Sequence, residues 1–433
     1  MGYEHPQEKQ RWSSEAGFVF ATAAAAVGLG NIWRFPYIAG ESGGGAFILA
    51  YLISVLFLGL PLMILEISSG RAERYSPVGT FRNLKGGFAW FGWVVVCLTG
   101  IIMSYYLVIT GWTFGYMVNS IRMSLVDFEV FTSSYEPLLY FFIVALLTYL
   151  VVWKGLKLIE RLTKLLMPLL VLIILGLTAY SLTLEGTDEA LSFLFTMEGS
   201  EFLNPQLWLL AIGQAFYSLA VGQGYLITYG SFFPKKGNLP RAAFSVAGFE
   251  TAVAVIAGLM IFPVVFTFGL DPGEGPELAF ETLPQAFEVL AIGPFLAIIF
   301  FSLFFLAAIS SCIAGMEVVK NTIKQELSLK DKPSTVLAFL PVTPLGVLSA
   351  LSYTPLGLEV LGIPFLEAMD FLGANQTVVA IGVIGGAMIS WAIPKEDMVE
   401  SFGKRRKWAD LVITIPRFLP LPVAILLLLT LLI

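Results

Sequence analysis

Long apolar runs separated by short polar segments occupy the chain from residue 16 to its last residues. A membrane-spanning helix needs about 20 mainly apolar residues, and eleven runs approach or exceed this length. We expect transmembrane helices at residues 16–40, 43–70, 88–121, 137–153, 160–183, 205–233, 241–269, 292–327, 334–353, 362–392 and 409–432. The pattern therefore predicts an all-α polytopic membrane protein with eleven transmembrane helices.

Composition and charge support this interpretation. Hydrophobic residues make up 57% of the chain and charged residues 13%, and the mean hydropathy is +0.83, which excludes a water-soluble globular protein. If the N-terminal tail is cytoplasmic, nearly all Lys and Arg fall on the inner side, and only Arg34 and Arg122 lie on the other side. The positive-inside rule then predicts a cell-membrane protein with a cytoplasmic N-terminus and an extracellular C-terminus.

The first apolar run contains a break in its helical pattern. Four alanines, Ala23 to Ala26, favour a helix, but Gly28 and Gly30 each cost roughly 1 kcal/mol in a helix interior, and Asn31 follows with a polar amide. A broken helix exposes backbone groups that must be satisfied by protein, water or a bound ion. This stretch is therefore a candidate ion and substrate site, although small residues at this spacing also allow two helices to pack closely.

A second break, Gly222-Gln223-Gly224, lies in the sixth run. Because five spans separate the two breaks, the broken helices cross the membrane in opposite directions, which is the pattern of an inverted-repeat transporter. The expected organisation is an N-terminal tail at 1–15, repeat 1 at 16–183, an extracellular loop at 184–204, repeat 2 at 205–392, and a linker with the last helix at 393–433.

Ionisable residues inside apolar runs are costly and usually functional. Four such residues are Glu66, Glu250, Glu317 and Asp370. In contrast, the single histidine, His5, gives no support for a transition-metal site or a histidine-based hydrolase.

The motif Gly28-Leu29-Gly30-Asn31-Ile32-Trp33-Arg34-Phe35-Pro36 resembles the first-helix signature of the neurotransmitter:sodium symporters. The resemblance covers essentially the whole chain. Within the family, the chain resembles the prokaryotic eleven-helix members that carry leucine and other hydrophobic amino acids. Further matching motifs are Trp12, Glu41, Gly43 to Phe47, Pro61, Glu66, Tyr105-Tyr106, Gly213 to Ser218, Ser310-Ser311 and Met369-Asp370-Phe371. The family resemblance implies the leucine-transporter fold, which is an inverted 5+5 repeat with discontinuous helices 1 and 6. It also implies symport by alternating access.

The resemblance implies two sodium sites built from hard oxygen ligands. The first would use Ala26, Asn31, Ser218 and Glu250, together with the substrate carboxylate. The second would use Ala24, Val27, Ala307, Ser310 and Ser311. The alternative for the two adjacent serines is an ordinary hydroxyl-to-backbone hydrogen bond within a membrane helix.

The resemblance also implies a substrate pocket, lined by Ala25, Ala26, Leu29, Gly30, Ile102, Tyr106, Tyr217, Ser218, Ala220, Gln223, Ser311 and Gly315. Amides near Leu29 and Gly30 start the outer half-helix, where the helix dipole favours an anion. Monoamine carriers have an Asp at the Gly28 position, so a ligand that brings its own carboxylate fits better here. Ala220 and Gly315 replace larger residues of the leucine carrier, which predicts room for a large side chain.

The gate residues follow from the same resemblance. Arg34 and Asp370 would form the outer gate. The inner gate would involve Trp12, but Lys9 and Gln325 replace the Arg and Asp of the family. We expect Arg11 and Glu326 to take over that ion pair.

Glu250 stands where the family has an Asn on span 7, and Ala254 stands where chloride-dependent members have a serine. Tyr51, Gln214 and Ser218 retain the rest of a chloride-like cage. The interpretation is that Glu250 substitutes for chloride with its own negative charge, so that no chloride is required. The alternative is a carboxyl that burial keeps protonated.

The sequence therefore predicts a sodium-coupled symporter for neutral, large hydrophobic or aromatic amino acids. We expect two sodium ions to bind with the substrate. An amine or osmolyte symporter is the alternative from the same architecture. A channel or a membrane enzyme is a remote alternative, because no uninterrupted polar stripe suits a pore and no nucleophile–base pair suits an enzyme. The expected partners are the amino acid and membrane lipid, with no nucleic acid, and the oligomeric state stays open.

Overall fold

The structure is a computed structural model that describes residues 11–84, 88–234, 236–273, 279–290, 292–373, 376–392 and 406–432. Within these residues the regular secondary structure is helical apart from one small hairpin. The first ten helices are α1 Glu15–Ala26, α2 Phe35–Glu41, α3 Gly45–Ser54, α4 Leu60–Glu73, α5 Pro77–Leu84, α6 Ala89–Ile121, α7 Phe128–Thr132, α8 Glu136–Lys154, α9 Leu156–Ser181 and α10 Thr187–Phe195. The following helices are α11 Pro205–Ser218, α12 Tyr225–Ser231, α13 Leu239–Thr267, α14 Thr282–Val289, α15 Gly293–Glu326, α16 Asp331–Ala350, α17 Phe365–Gly373, α18 Gln376–Ala392, α19 Arg406–Phe418 and α20 Pro420–Leu432.

Eight helical stretches of the described chain are long and apolar enough to cross a membrane. They are Gly45–Glu73, Ala89–Ile121, Glu136–Lys154, Leu156–Ser181, Leu239–Thr267, Gly293–Glu326, Asp331–Ala350 and Phe365–Ala392. Two bent pairs raise this number to ten, since α1 with the segment Gly30–Glu41 and α19 with α20 each form one interrupted span. The sixth predicted run is divided into α11 and α12, so the expected count of eleven stays a prediction.

The first break lies where the glycines predicted it. Helix α1 ends at Ala26, and Val27 has an extended backbone with φ −79° and ψ 106°. A π-helical turn over Gly30–Arg34 then leads into α2, and the two halves of the span differ in direction by 51°. A Cβ atom at Gly28 would collide with the hydroxyl oxygens of Tyr106 and Ser311, so this position requires glycine.

The second break separates α11 from α12 by six residues. Ala220, Gly222 and Gly224 all have positive φ angles, of 56°, 78° and 76°, so the chain leaves the helix through left-handed backbone. The amide of Gly222 donates a hydrogen bond of 2.9 Å to the Glu66 carboxylate on α4. This bond satisfies a backbone group that the break exposes, as the apolar environment requires.

The long helices α6 and α15 lie side by side at the centre, and α12 packs against α4 while α13 packs against α9. The expected extracellular loop at 184–204 contains the short helix α10, and a second short helix, α14, follows α13. A two-stranded antiparallel hairpin, β1 Glu359–Val360 and β2 Ile363–Pro364, pairs Glu359 with Pro364 between α16 and α17. This arrangement places both helix breaks in the middle of the packed bundle.

Replacing Gly222 with alanine should destabilise the protein. A Cβ there would lie 2.7 Å from the Cα of Gly382, and the alanine would have to keep the backbone φ of +78°. We therefore expect a loss of about 2–4 kcal/mol in the free energy of unfolding. Thermal unfolding of the purified protein measures this loss. Gly176→Ala in α9 is the matched control, since a Cβ there meets nothing within 4 Å, and it should leave the melting temperature unchanged or raised. Equal melting temperatures for wild type and Gly222→Ala would contradict the prediction.

Candidate ion and substrate site

A small cavity lies between the two helix breaks. The cavity is lined by Ala25, Ala26, Gly30, Ile102, Tyr106, Tyr217, Ala220, Gln223, Tyr225 and Ser311. Nine of these ten residues belong to the pocket predicted from the sequence. The tenth, Tyr225, was missed; it is the first residue of α12, directly after the second break, and that position was the available signal. That these residues bind a substrate stays a prediction.

Three of the predicted pocket residues have other surroundings. The amide of Leu29 donates to the hydroxyl oxygen of Tyr106 at 2.8 Å, and the hydroxyl of Ser218 donates to Glu250. The space expected beside Gly315 is filled, because a Cβ there would lie 2.9 Å from Cε of Met103 and would also collide with the Tyr225 hydroxyl. Gly315 therefore makes room for those two side chains and adds no open volume to the cavity.

The carboxylate of Glu250 is fully buried and lies within a group of hydrogen-bond donors. Oε1 of Glu250 accepts from the amide of Asn31 at 2.7 Å, from the Tyr51 hydroxyl at 3.0 Å and from the Ser218 hydroxyl. Thr251 donates to Oε2 at 3.3 Å. Because a buried carboxyl group needs such partners, these contacts explain how Glu250 is tolerated at 0% exposure.

Gln214, the third member of the expected anion cage, contacts other groups. Its side-chain oxygen accepts from the Arg34 guanidinium at 2.6 Å, and its side-chain nitrogen donates to the Gly30 carbonyl at 2.7 Å. Tyr51 and Ser218 therefore contact Glu250, whereas Gln214 links the first helix break to Arg34. The buried methyl group of Ala254 offers no hydrogen-bond donor at the remaining position.

The residues proposed for a second ion are brought together by α1 and α15. The Ser310 hydroxyl lies 2.8 Å from both the Ala24 carbonyl and the Ala307 carbonyl. The neighbouring Ser311 hydroxyl donates to the Ala25 carbonyl at 3.1 Å. These bonds are the hydroxyl-to-backbone contacts of the alternative interpretation, but they also gather the oxygen atoms that a hard cation prefers. In the described part of the chain no group of three His, Cys, Asp or Glu residues could hold a metal ion, so an ion there would depend on carbonyl, amide and hydroxyl oxygens.

Arg34 and Asp370 lie close together although they are distant in sequence. The guanidinium of Arg34 is buried and lies 5.2 Å from the centre of the ring of Tyr217, a residue that lines the cavity. Asp370 on α17 interacts electrostatically with this guanidinium. The two residues expected at the outer gate therefore lie near one another, and their gating role stays a prediction.

The inner side of the first span differs from the expectation. Trp12 is buried, and its indole donates to the Tyr229 carbonyl at 3.1 Å; Lys9 lies outside the described residues. The expected Arg11–Glu326 ion pair does not form, because Glu326 pairs with Arg82 on α5 and Arg11 is exposed.

Gln325, which replaces the family's Asp, contacts the backbone. Its side-chain oxygen accepts from the Ser76 amide at 2.6 Å, a bond that a neutral amide makes as well as a carboxylate. Arg11 and Arg71 are both positively charged neighbours of Arg74, and Arg74 donates to the carbonyl of Phe233 at 2.6 Å. On the inner side, hydrogen bonds from side chains to the backbone and the Arg82–Glu326 pair therefore stand in place of the single ion pair that was expected.

Two further charge clusters on the inner side were missed. The Glu160 carboxylate accepts from the Ser13 amide at 3.0 Å and from Lys164 at 2.6 Å, which fixes the start of α1 to α9. Glu160 and Lys164 are four residues apart on one helix, and this i,i+4 spacing was the sequence signal for the ion pair.

The second missed cluster explains one of the acidic residues in the apolar runs. Glu317 forms an ion pair of 3.1 Å with Lys320, and Lys320 also pairs with Asp331 at 3.3 Å. Lys320 is fully buried, so its charge needs both partners. Glu317 therefore has a structural partner three residues along the same helix.

Comparisons with known proteins agree with this geometry. The model of the sodium:neurotransmitter symporter family matches residues 9–133 and 131–405. The sodium-dependent transporter YhdH of Bacillus subtilis is 35% identical over 402 residues, which cover 90% of this chain and 88% of that protein. A sodium-dependent transporter of Haemophilus influenzae is 34% identical and covers 80% of each chain.

A solved structure matches over nearly the whole chain. The crystal structure of MhsT in complex with L-phenylalanine has a TM-score of 0.90 and 38% sequence identity, and the match covers 97% of this chain and 99% of that chain. The leucine-transporter fold expected from the sequence is thereby confirmed.

Proposed function

Because the chain belongs to the sodium:neurotransmitter symporter family, we propose that this membrane transporter couples sodium entry to the uptake of neutral hydrophobic or aromatic amino acids. It would work in the cell membrane by alternating access, with its N-terminus in the cytoplasm. The observation that carries the proposal is the cavity between the two helix breaks. Backbone polar groups, buried hydroxyls and aromatic rings surround that cavity, as expected for an amphipathic substrate.

The surroundings of Gly28 support an amino acid over a monoamine. An Asp at this position would be needed to pair with an amine, but even a Cβ would collide with Tyr106 and Ser311. The amides of Leu29 and Gly30 lie instead at the start of the outer half-helix, where a carboxylate is favoured. The bound L-phenylalanine of MhsT supports an apolar side chain.

Two sodium ions fit the oxygen-rich groups on either side of the first break. Asn31 and Ser218 both donate to Glu250, and the three side chains would surround the first ion together with Ala26 and the substrate carboxylate. The carbonyls near Ser310 would surround the second ion. Glu250 would supply the negative charge beside the first ion, so transport would need no chloride.

We predict that sodium and substrate bind cooperatively. The substrate carboxylate would complete the coordination of the first ion, and linkage between two ligands is reciprocal. Thermal-shift titrations with leucine and phenylalanine should give affinities that fall by about tenfold or more when potassium replaces sodium, which corresponds to about 1.4 kcal/mol. Asn31→Ala and Ser310→Ala should weaken sodium binding, and Asn31→Ala should weaken the amino acid as well.

Ser390→Ala is the matched control for these variants, because the Ser390 hydroxyl donates to the Ala387 carbonyl within α18 and Ser390 does not line the cavity. It should titrate like wild type. Equal amino-acid affinity in sodium, potassium and choline would exclude the sodium symporter.

The outer gate gives a second prediction. Asp370→Asn removes the charge that interacts with Arg34, so it should slow uptake into proteoliposomes while amino-acid binding stays within a few-fold of wild type, because Asp370 is not among the residues that line the cavity. Glu367→Gln is the control, since Glu367 lies on the same helix but bonds to Tyr353. Wild-type uptake by Asp370→Asn would show that Asp370 has no gating role.

Chloride independence gives a third prediction. Wild-type uptake should be the same in chloride and in gluconate, because an ionised Glu250 carries the charge that chloride brings elsewhere. The double variant Glu250→Asn, Ala254→Ser removes that charge and restores a hydroxyl beside Tyr51, so it should transport only in chloride. Ala254→Ser alone is the control and should stay independent of chloride. If the wild type stalls in gluconate, Glu250 does not replace the anion.

A further inference from the structure

Two polar side chains from the second helix break line the cavity and are almost fully buried. They are Gln223, at 4% exposure, and Tyr225, at 3%. The Gln223 side-chain nitrogen donates to the Tyr217 carbonyl at 3.3 Å, and its backbone carbonyl accepts from the Thr99 hydroxyl at 2.6 Å. These two bonds hold the side chain and the backbone of Gln223 in place. The side-chain oxygen of Gln223, however, accepts no hydrogen bond from the described residues.

The Tyr225 hydroxyl is in a similar position. It donates to the sulfur of Met103 at 3.9 Å, a weak acceptor, and its oxygen accepts nothing from the part of the chain that the structure describes. Gly315 makes room for this hydroxyl, because any side chain there would collide with it. The second helix break thus places a side-chain amide oxygen and a hydroxyl oxygen at the cavity, and neither oxygen accepts a hydrogen bond from the described residues.

We propose that Gln223 and Tyr225 recognise a hydrogen-bond donor on the substrate's side chain, so that the transporter prefers tryptophan and tyrosine to phenylalanine, leucine and methionine. This inference rests on the proposed amino-acid transport and narrows its substrate class. A buried acceptor that loses its water must regain a hydrogen bond or remain unsatisfied. A site built around such groups therefore discriminates against an analogue that lacks the donor, whereas a purely apolar cavity would not. The remaining lining, with Ile102, Ala220 and the ring of Tyr106, suits the apolar part of an aromatic side chain.

The test compares ligands that differ in this donor. Sodium-dependent binding of tryptophan, 3-benzothienylalanine, tyrosine, phenylalanine and leucine is measured on the purified full-length protein. In 3-benzothienylalanine a sulfur replaces the indole N–H at nearly the same size. We expect tryptophan to bind about tenfold or more tightly than 3-benzothienylalanine, and tyrosine more tightly than phenylalanine by a similar factor.

Substitutions then locate the preference. Gln223→Leu and Tyr225→Phe remove the two acceptors and should each reduce the ratio of tryptophan to 3-benzothienylalanine affinity, and the double variant should bring it close to one. Tyr149→Phe on α8 is the matched control, because its ring packs against Trp153 and Phe339 away from the cavity, and it should keep the wild-type ratio. The wild-type comparison remains informative even if a variant fails to fold.

The outcomes separate the two proposals. If leucine and phenylalanine bind in sodium as tightly as tryptophan and tyrosine, the donor preference is wrong while amino-acid symport stands. If the wild type shows the preference but both variants retain it, the acceptors are other groups. If none of these amino acids binds in sodium, the proposed function itself is overturned.

Discussion

The structure depends on one constraint, that every backbone amide and carbonyl inside a lipid bilayer must find a partner. Two spans violate the continuous helix that normally meets this requirement, and side chains supply the missing partners. Glu66 accepts from the Gly222 amide at the second break. At the first break, the Tyr106 hydroxyl accepts from Leu29 and Gln214 donates to the Gly30 carbonyl. The breaks are therefore held open by specific polar side chains from neighbouring helices.

The same constraint explains the distribution of buried charge. A carboxylate away from water is tolerated only with several donors or with a cation. Glu250 has hydroxyl and amide donors around it, whereas Glu317 has the ammonium group of Lys320. In the first arrangement no cationic side chain of the described residues pairs with the carboxyl group, and only hydroxyl and amide groups contact it. The second arrangement is neutralised within the helix bundle and serves packing.

Glycines near the cavity leave space where a side chain would otherwise lie, and side chains of neighbouring helices fill that space. Gly28 is needed because the hydroxyls of Tyr106 and Ser311 occupy the position of a side chain. Gly315 is needed for the Tyr225 hydroxyl and the Met103 sulfur. In both cases the missing side chain brings a polar group of a neighbouring residue to the cavity. These two glycines therefore mark where polar groups from other helices approach the site.

The sequence by itself determined the membrane class and the position of both helix breaks, because apolar run length and paired glycines act locally along the chain. The order of the two breaks indicated an inverted repeat, and the family resemblance implied the fold and most of the cavity lining. Tertiary structure decided the partners: Gln214 turns to Arg34 and not to Glu250, Glu326 pairs with Arg82 and not with Arg11, and Met103 fills the space beside Gly315. No local pattern predicts these contacts, because each joins helices that are distant in sequence and depends on side-chain directions that only packing fixes. Lys320 shows the same limit, since a lysine near the end of an apolar run can reach water or bury its charge, and only the approach of α16 with Asp331 determines which occurs.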